Sequence, residues 1–162
     1  MRTYGGGRGG ALALVVVTAI ALGASTGFAD PTEENPTEAR LDPDYAAGKK
    51  ALDAKNWRAA IELLGQAALR DSRNADIQNY LGYAYRHAGQ LDRAFEHYGK
   101  ALRLNPRHRG AHEYIGEAYL MVNNPAKAAE HLAALEKICV LPCEEYADLK
   151  AKLAAYGAKR AK

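Results

Sequence analysis

Three stretches of this sequence, 41–74, 75–108 and 109–142, repeat one pattern of large and small residues without gaps. A period of 34 residues confines the chain to a stacked array, because each unit leaves an apolar face that only a neighbour can cover. The eighth place is glycine in every copy (Gly48, Gly82, Gly116) and the twentieth is alanine (Ala60, Ala94, Ala128). A glycine inside a helix costs about 1 kcal/mol against alanine, so three at one spacing imply the close approach of a second helix. Larger residues fill the space around them: Leu81, Tyr85 and Tyr98 in the second copy, Ile115, Tyr119 and Leu132 in the third. The first copy is the most eroded, with Ala47, Ala51 and Leu64 at those places. Its bulk comes from Trp57 at the seventeenth place, where the others have Leu91 and Pro125.

Each copy breaks near its middle, at Lys55-Asn56, Gly89-Gln90 and Asn123-Asn124-Pro125, with residue types that end one helix and begin another. Asn105-Pro106 and Leu141-Pro142 close the second and third copies. The pattern predicts helices near 42–54, 57–70, 75–88, 91–104, 109–122 and 125–138.

With Leu81-Gly82, Tyr85, Ala94, Tyr98, Ala101 and Pro106 in the second copy, the segments resemble tetratricopeptide repeats. The third copy departs from that pattern at Leu135, where alanine is preferred, and at Val140, where proline is usual. The resemblance implies an all-α, right-handed α-solenoid of three helical hairpins. Residues 143–157 continue the phase, with Tyr146, Leu149 and Leu153 at the fourth, seventh and eleventh places of a would-be fourth copy. Lys150 stands at the eighth place, where a packed partner helix would bury it, so this segment is expected to be a C-terminal capping helix with a charged outer face, followed by a basic tail, 158–162.

The start of the chain reads as a leader. Arg2 and Arg8 precede an uncharged apolar run from Ala11 to Leu22, and Gly27 and Ala29 occupy the −3 and −1 places of a cut after Ala29. The run falls well short of the roughly 20 residues a membrane span requires. Residues 1–29 are therefore expected to be a cleaved Sec-type signal peptide, and the destination a periplasm, with an extracellular one open. Residues 30–40 carry two prolines, four acids and little apolar bulk, the composition of a flexible linker. Losing Arg2 and Arg8 from 22 basic residues, and none of 19 acidic ones, leaves a net charge of +1 after cleavage. That balance points to neither nucleic acid nor an anionic membrane surface.

Cys139 and Cys143 are the only cysteines. In an oxidising compartment such a pair reads first as a disulfide fixing the angle of the closing helix. Free thiols, or a C-x3-C site for thiol exchange or Cu(I) with His131 adding a nitrogen, are the alternatives. His97 and His131 share the twenty-third place, which suggests a common surface role. His108 and His112 have i, i+4 spacing but sit at a repeat junction without a third ligand. No metal site, cofactor or catalytic residue is expected, since no nucleophile motif, phosphate-cradling loop or H-E-x-x-H is present.

Among tetratricopeptide-repeat proteins the first helix of each pair lines a concave groove that holds a protein or peptide partner. Mapped through the resemblance, the first repeat supplies Tyr45, Lys49 and Leu52; the second Asn79, Tyr83, Arg86 and His87; the third Glu113, Glu117, Leu120 and Met121. Tyrosine and arginine suit interface anchors, and Lys49 and Arg86 suit acidic groups. Glu113 and Glu117 oppose the anion-gripping set of some relatives. The expected function is thus an exported binding module, adaptor or scaffold; the alternative is a metal- or thiol-redox-handling protein built on Cys139 and Cys143.

Overall fold

A computed structural model describes residues 42–160. The expected leader and linker lie outside the described residues, as do Ala161 and Lys162. Seven helices follow in order: α1 Pro43–Asp53, α2 Trp57–Arg70, α3 Ala75–His87, α4 Leu91–Leu104, α5 Arg109–Met121, α6 Pro125–Ile138 and α7 Glu144–Arg160. They form an all-α tetratricopeptide-type solenoid in which α1 pairs with α2, α3 with α4 and α5 with α6, and successive pairs stack.

Local chemistry fixes where each helix begins and ends. Asp42, Asn56, Asn74 and Asn124 cap α1, α2, α3 and α6 by accepting backbone N–H groups of the first turn. His108 caps α5 through Nδ1, which accepts from the Ala111 N–H. The three intra-pair turns share one device. Backbone φ turns positive at Lys55 (56°), Gly89 (76°) and Asn123 (61°). Asn56, Gln90 and Asn124 then donate back to the carbonyls of Ala51, Tyr85 and Tyr119. The same six-to-one closure therefore recurs at the fifteenth place of every repeat.

The pairs meet where the period placed small residues. Ala60, Ala94 and Ala128 are fully buried. A Cβ built on Gly48 would stand 2.7 Å from Leu64, and one on Gly82 2.5 Å from Tyr98, so only glycine fits against these side chains. The third repeat differs from expectation: the side chain against Gly116 is Leu149 of α7, 2.6 Å from a built Cβ, rather than Leu132 of its own pair. Leu132 is half-buried while Leu149 is wholly buried, because α7 packs on both α5 and α6 and reaches the place first. Helix α7 also runs to Arg160, into the expected tail, since Ala-Lys-Arg favours helix and the basic end suits the helix dipole.

One core links the first two repeats through Tyr45, Leu52, Leu64, Ile77 and Leu81; a second joins Ala94 and Tyr98 to Ile115 and Ala118. Ala101 lies in a third, with Ala75 and Ala111. Pro106 is exposed in the turn before α5. Tyr85 and Tyr119 are half-buried and stack on His97 (5.2 Å) and His131 (5.7 Å). The twenty-third-place histidines are thus packing partners of the eleventh-place tyrosines rather than surface groups. Among the described residues no helix is long and apolar enough to cross a membrane.

Candidate functional site on the face of α1, α3 and α5

The residues expected on the concave face divide into two groups. Lys49, His87 and Met121 are exposed, and Tyr83, Leu120 and Glu117 are half-buried. Tyr45, Leu52, Asn79, Arg86 and Glu113 are buried, none more than 8% exposed. Arg86 is therefore not an open anchor for a partner's acid. Its Nη1 donates to Glu117 at 2.6 Å, its Nε to the Tyr98 hydroxyl at 3.3 Å, and its guanidinium lies over the rings of Tyr83 and Tyr114. Burial pushes the Tyr98 phenol well above its usual pKa, so it remains a neutral acceptor. Place twelve of one repeat thus pairs with place nine of the next, welding α3 to α5.

Aromatic rings gather around that weld. Tyr83 stands 4.9 Å from Tyr114, 4.3 Å from His87 and 6.1 Å from Trp57, and Trp57 stacks on His87 at 4.6 Å. A recess of about 490 Å³ opens between Trp57, Tyr80, Tyr83 and Tyr114, with Leu52 and Asp53 on its wall and Lys49 and Lys55 at its rim. The Lys49 ammonium lies 5.3 Å from the Tyr80 ring centre. The repeat places expected to line the groove do not include Trp57, Tyr80 or Tyr114. Tyr80 and Tyr114 share the sixth place of their repeats, so the period itself carried the signal. Trp57 comes from α2, and only the turn at Lys55 brings it beside Tyr83.

A second, more polar recess of about 500 Å³ lies beside the first and shares Tyr80 and Tyr114 with it. Its walls are Asp76 and Asn79 of α3, Asn105, Arg107 and His108 before α5, Arg109, Gly110 and Glu113 of α5, and Glu144, Glu145 and Asp148 of α7. Burial, and then the neighbouring Glu117, raise the Glu113 carboxyl to about 7. Lys152 of α7 reaches in from the closing helix to pair with both Glu113 and Glu117. Tyr156 and Arg160 bond Asn123 further along α7. The third repeat's share of the face is consequently occupied by the protein's own basic side chain.

Cys139 and Cys143 face one another across Val140-Leu141-Pro142 with Cα atoms 5.9 Å apart, inside the span a disulfide bridges. His131, the candidate third ligand for a thiolate site, is engaged elsewhere: its Nδ1 lies 2.9 Å from Nδ1 of His112. His112 Nε2 faces the Pro106 carbonyl at 3.0 Å, which can only accept, so His112 accepts from His131. His108 and His112 turn to different partners, His108 donating to Asp76 at 3.0 Å. Among the described residues no group of three or more His, Cys, Asp or Glu side chains is set to hold a metal.

The tetratricopeptide-repeat family pattern matches residues 75–108, and a second form of it matches 92–139. Two curated relatives show weaker likeness along the sequence. The chain is 24% identical to the human protein O-mannosyl-transferase TMTC3 over 94 residues, 57% of this chain and 10% of that protein. It is 31% identical to ycf37 of Pyropia yezoensis over 109 residues, 60% of this chain and 56% of that one. The chain thus spans a tenth and about half the length of these relatives. Among solved structures, PcrH in complex with the chaperone binding region of PopD superposes with a TM-score of 0.66 at 19% identity, covering 76% of this chain and 95% of that one. The Yersinia enterocolitica translocator chaperone SycD gives 0.68 at 16%, covering 77% and 88%. The TPR2B domain of yeast Sti1 in complex with pHsp70 gives 0.64 at 20%, covering 76% and 96%.

Proposed function

Because this chain is a tetratricopeptide-repeat protein, we propose that the face of α1, α3 and α5 holds a segment of another protein, and that the chain is an exported binding module rather than an enzyme. The observation that carries this reading is the half-buried ring cluster of Trp57, Tyr80, Tyr83 and Tyr114 around an open recess rimmed by Lys49 and Lys55. Large rings left partly in water, beside cations and over a rigid floor, are the anchors that protein interfaces use. Similar folds are recorded with peptides, such as the first TPR of Spaghetti with the HSP90 peptide SRMEEVD, which supports a peptide-sized occupant.

The test is capture of partners from the exported fraction by the wild-type protein and by a Tyr83→Ala/Tyr114→Ala double variant, each titrated against the recovered partner. We expect at least a roughly ten-fold loss of affinity, since anchor aromatics contribute more than 1 kcal/mol each. Undiminished binding by the double variant overturns the reading.

We further propose that residues 1–29 direct export to the periplasm and are removed there, and that Cys139 and Cys143 are joined in that compartment. Intact mass of the exported protein, alkylated without reduction, is expected to begin at Asp30 and to carry no alkyl group. Two alkylated thiols would instead favour thiol exchange or Cu(I) binding at this pair.

A further inference from the structure

The aromatic recess is rich in hydrogen-bond donors and in positive charge. The ammoniums of Lys49 and Lys55 and the phenols of Tyr80, Tyr83 and Tyr114 line it, against one carboxylate, that of Asp53. Among the described residues neither lysine has an ion-pair partner. Lys49 leans its ammonium on the rings of Tyr45 and Tyr80, 5.8 and 5.3 Å from their centres. These walls select an occupant that brings acceptors, negative charge and compact apolar side chains to lie between rings.

Such a segment stands in the chain itself, directly ahead of α1. Residues 30–40 (DPTEENPTEAR) carry four carboxylates against one arginine. Pro31 and Pro36 lack a backbone N–H but keep their carbonyls, which leaves the segment rich in acceptors and short of donors. Proline rings also dock on aromatic walls at small entropic cost. Only Leu41 separates the segment from Asp42, the cap of α1. At 1.5 Å per residue along the helix axis, Lys49 stands about 10 Å and Lys55 about 20 Å from Asp42. Extended chain covers up to about 3.3 Å per residue. Run back along α1, it brings Glu38 level with Lys49, Glu33 and Glu34 level with Lys55, and Pro36 between them at the rings. Tethering so close to the recess sets an effective concentration on the order of millimolar, well above that of a separate copy in solution.

We propose that residues 30–40 occupy the aromatic recess of their own molecule, with Glu33, Glu34 and Glu38 answering Lys49 and Lys55. A partner then reaches Tyr83 and Trp57 only by displacing this segment. The inference rests on the groove reading above and names the occupant of that site when no partner is present.

The experiment treats the exported protein at low micromolar concentration with a zero-length carbodiimide and maps the joined peptides by mass spectrometry. Glu33, Glu34 and Glu38 are expected to be joined to Lys49 and Lys55, and not to Lys50, which follows Lys49 on the same helix but does not line the recess. An equal mixture of nitrogen-15-labelled and unlabelled protein is expected to give only light–light and heavy–heavy products. Trp57 is the chain's single tryptophan, so its fluorescence reads the same recess. A Glu33→Gln/Glu34→Gln/Glu38→Gln variant, altered outside the described helices, is expected to show increased quenching of Trp57 by acrylamide. Equal yield at Lys50, or unchanged quenching in the variant, overturns the proposal. Mixed-isotope products overturn the molecule's own segment as the occupant and assign the recess to a second copy. Absence of the crosslinks with Tyr83-dependent capture intact removes this inference and leaves the groove reading standing, whereas the crosslinks without such capture do the reverse.

Discussion

At the fifteenth place of each repeat the chain takes the left-handed backbone region, and the three residues found there bear it unequally. Gly89 does so without steric cost and Asn123 tolerates it, whereas Lys55 holds φ at 56° with a full side chain. Lys55→Gly is therefore expected to stabilise the protein by about 0.5–1 kcal/mol in chemical denaturation, relief of strain outweighing the extra entropy of the unfolded glycine. Sequence placed a helix break at Lys55 correctly, because the register of the other repeats required one. The burial of Arg86 is not legible in the same way. A buried arginine and an exposed one have the same letter, and its partner Glu117 lies 31 residues away. The pairing of place twelve with the next place nine becomes visible only once the stacking offset between repeats is known.

At the level of the helix pair, α5 and α6 are joined by two neutral histidines. Burial, and then the nearby His112, hold His131 at about 4; burial also lowers His112. His131 faces His112 and Tyr119, with Lys127 and Glu130 on its own helix. A histidine with a depressed folded pKa gives stability that is fully present above its unfolded value near 6.5 and is lost as pH falls toward the folded value. Between pH 6.5 and 4 the unfolded chain binds more protons, so stability must decline on acidification. We expect a loss of about 1 kcal/mol from this pair by pH 5, after allowing for solvent screening, measured as a falling unfolding midpoint. His131→Gln should flatten that part of the profile. The shared place of His97 and His131 was legible as a repeat feature, but its meaning was not: stacking on Tyr85 and Tyr119 depends on helix rotation that spacing alone leaves open.

Across the whole molecule, the solenoid was legible because a single period controls helix length, turn position and contact point together. What the period could not supply was the closing helix's reach. Leu149 takes the place against Gly116, and Lys152 pairs with two acids of α5. Leu149→Ala is expected to cost about 2–4 kcal/mol and to raise hydrogen exchange in α5 as well as α7, because the cavity opens beneath both. An effect confined to α7 would show that the cap is an independent appendage. The residue that fills the third pair thus comes from a helix synthesised after it. The first pair holds Gly48 against its own Leu64 and can close as soon as α2 has emerged, whereas the third must wait for α7. Folding of the array accordingly has a direction in time: its first pair can settle before its third, which stays open until α7 has been made.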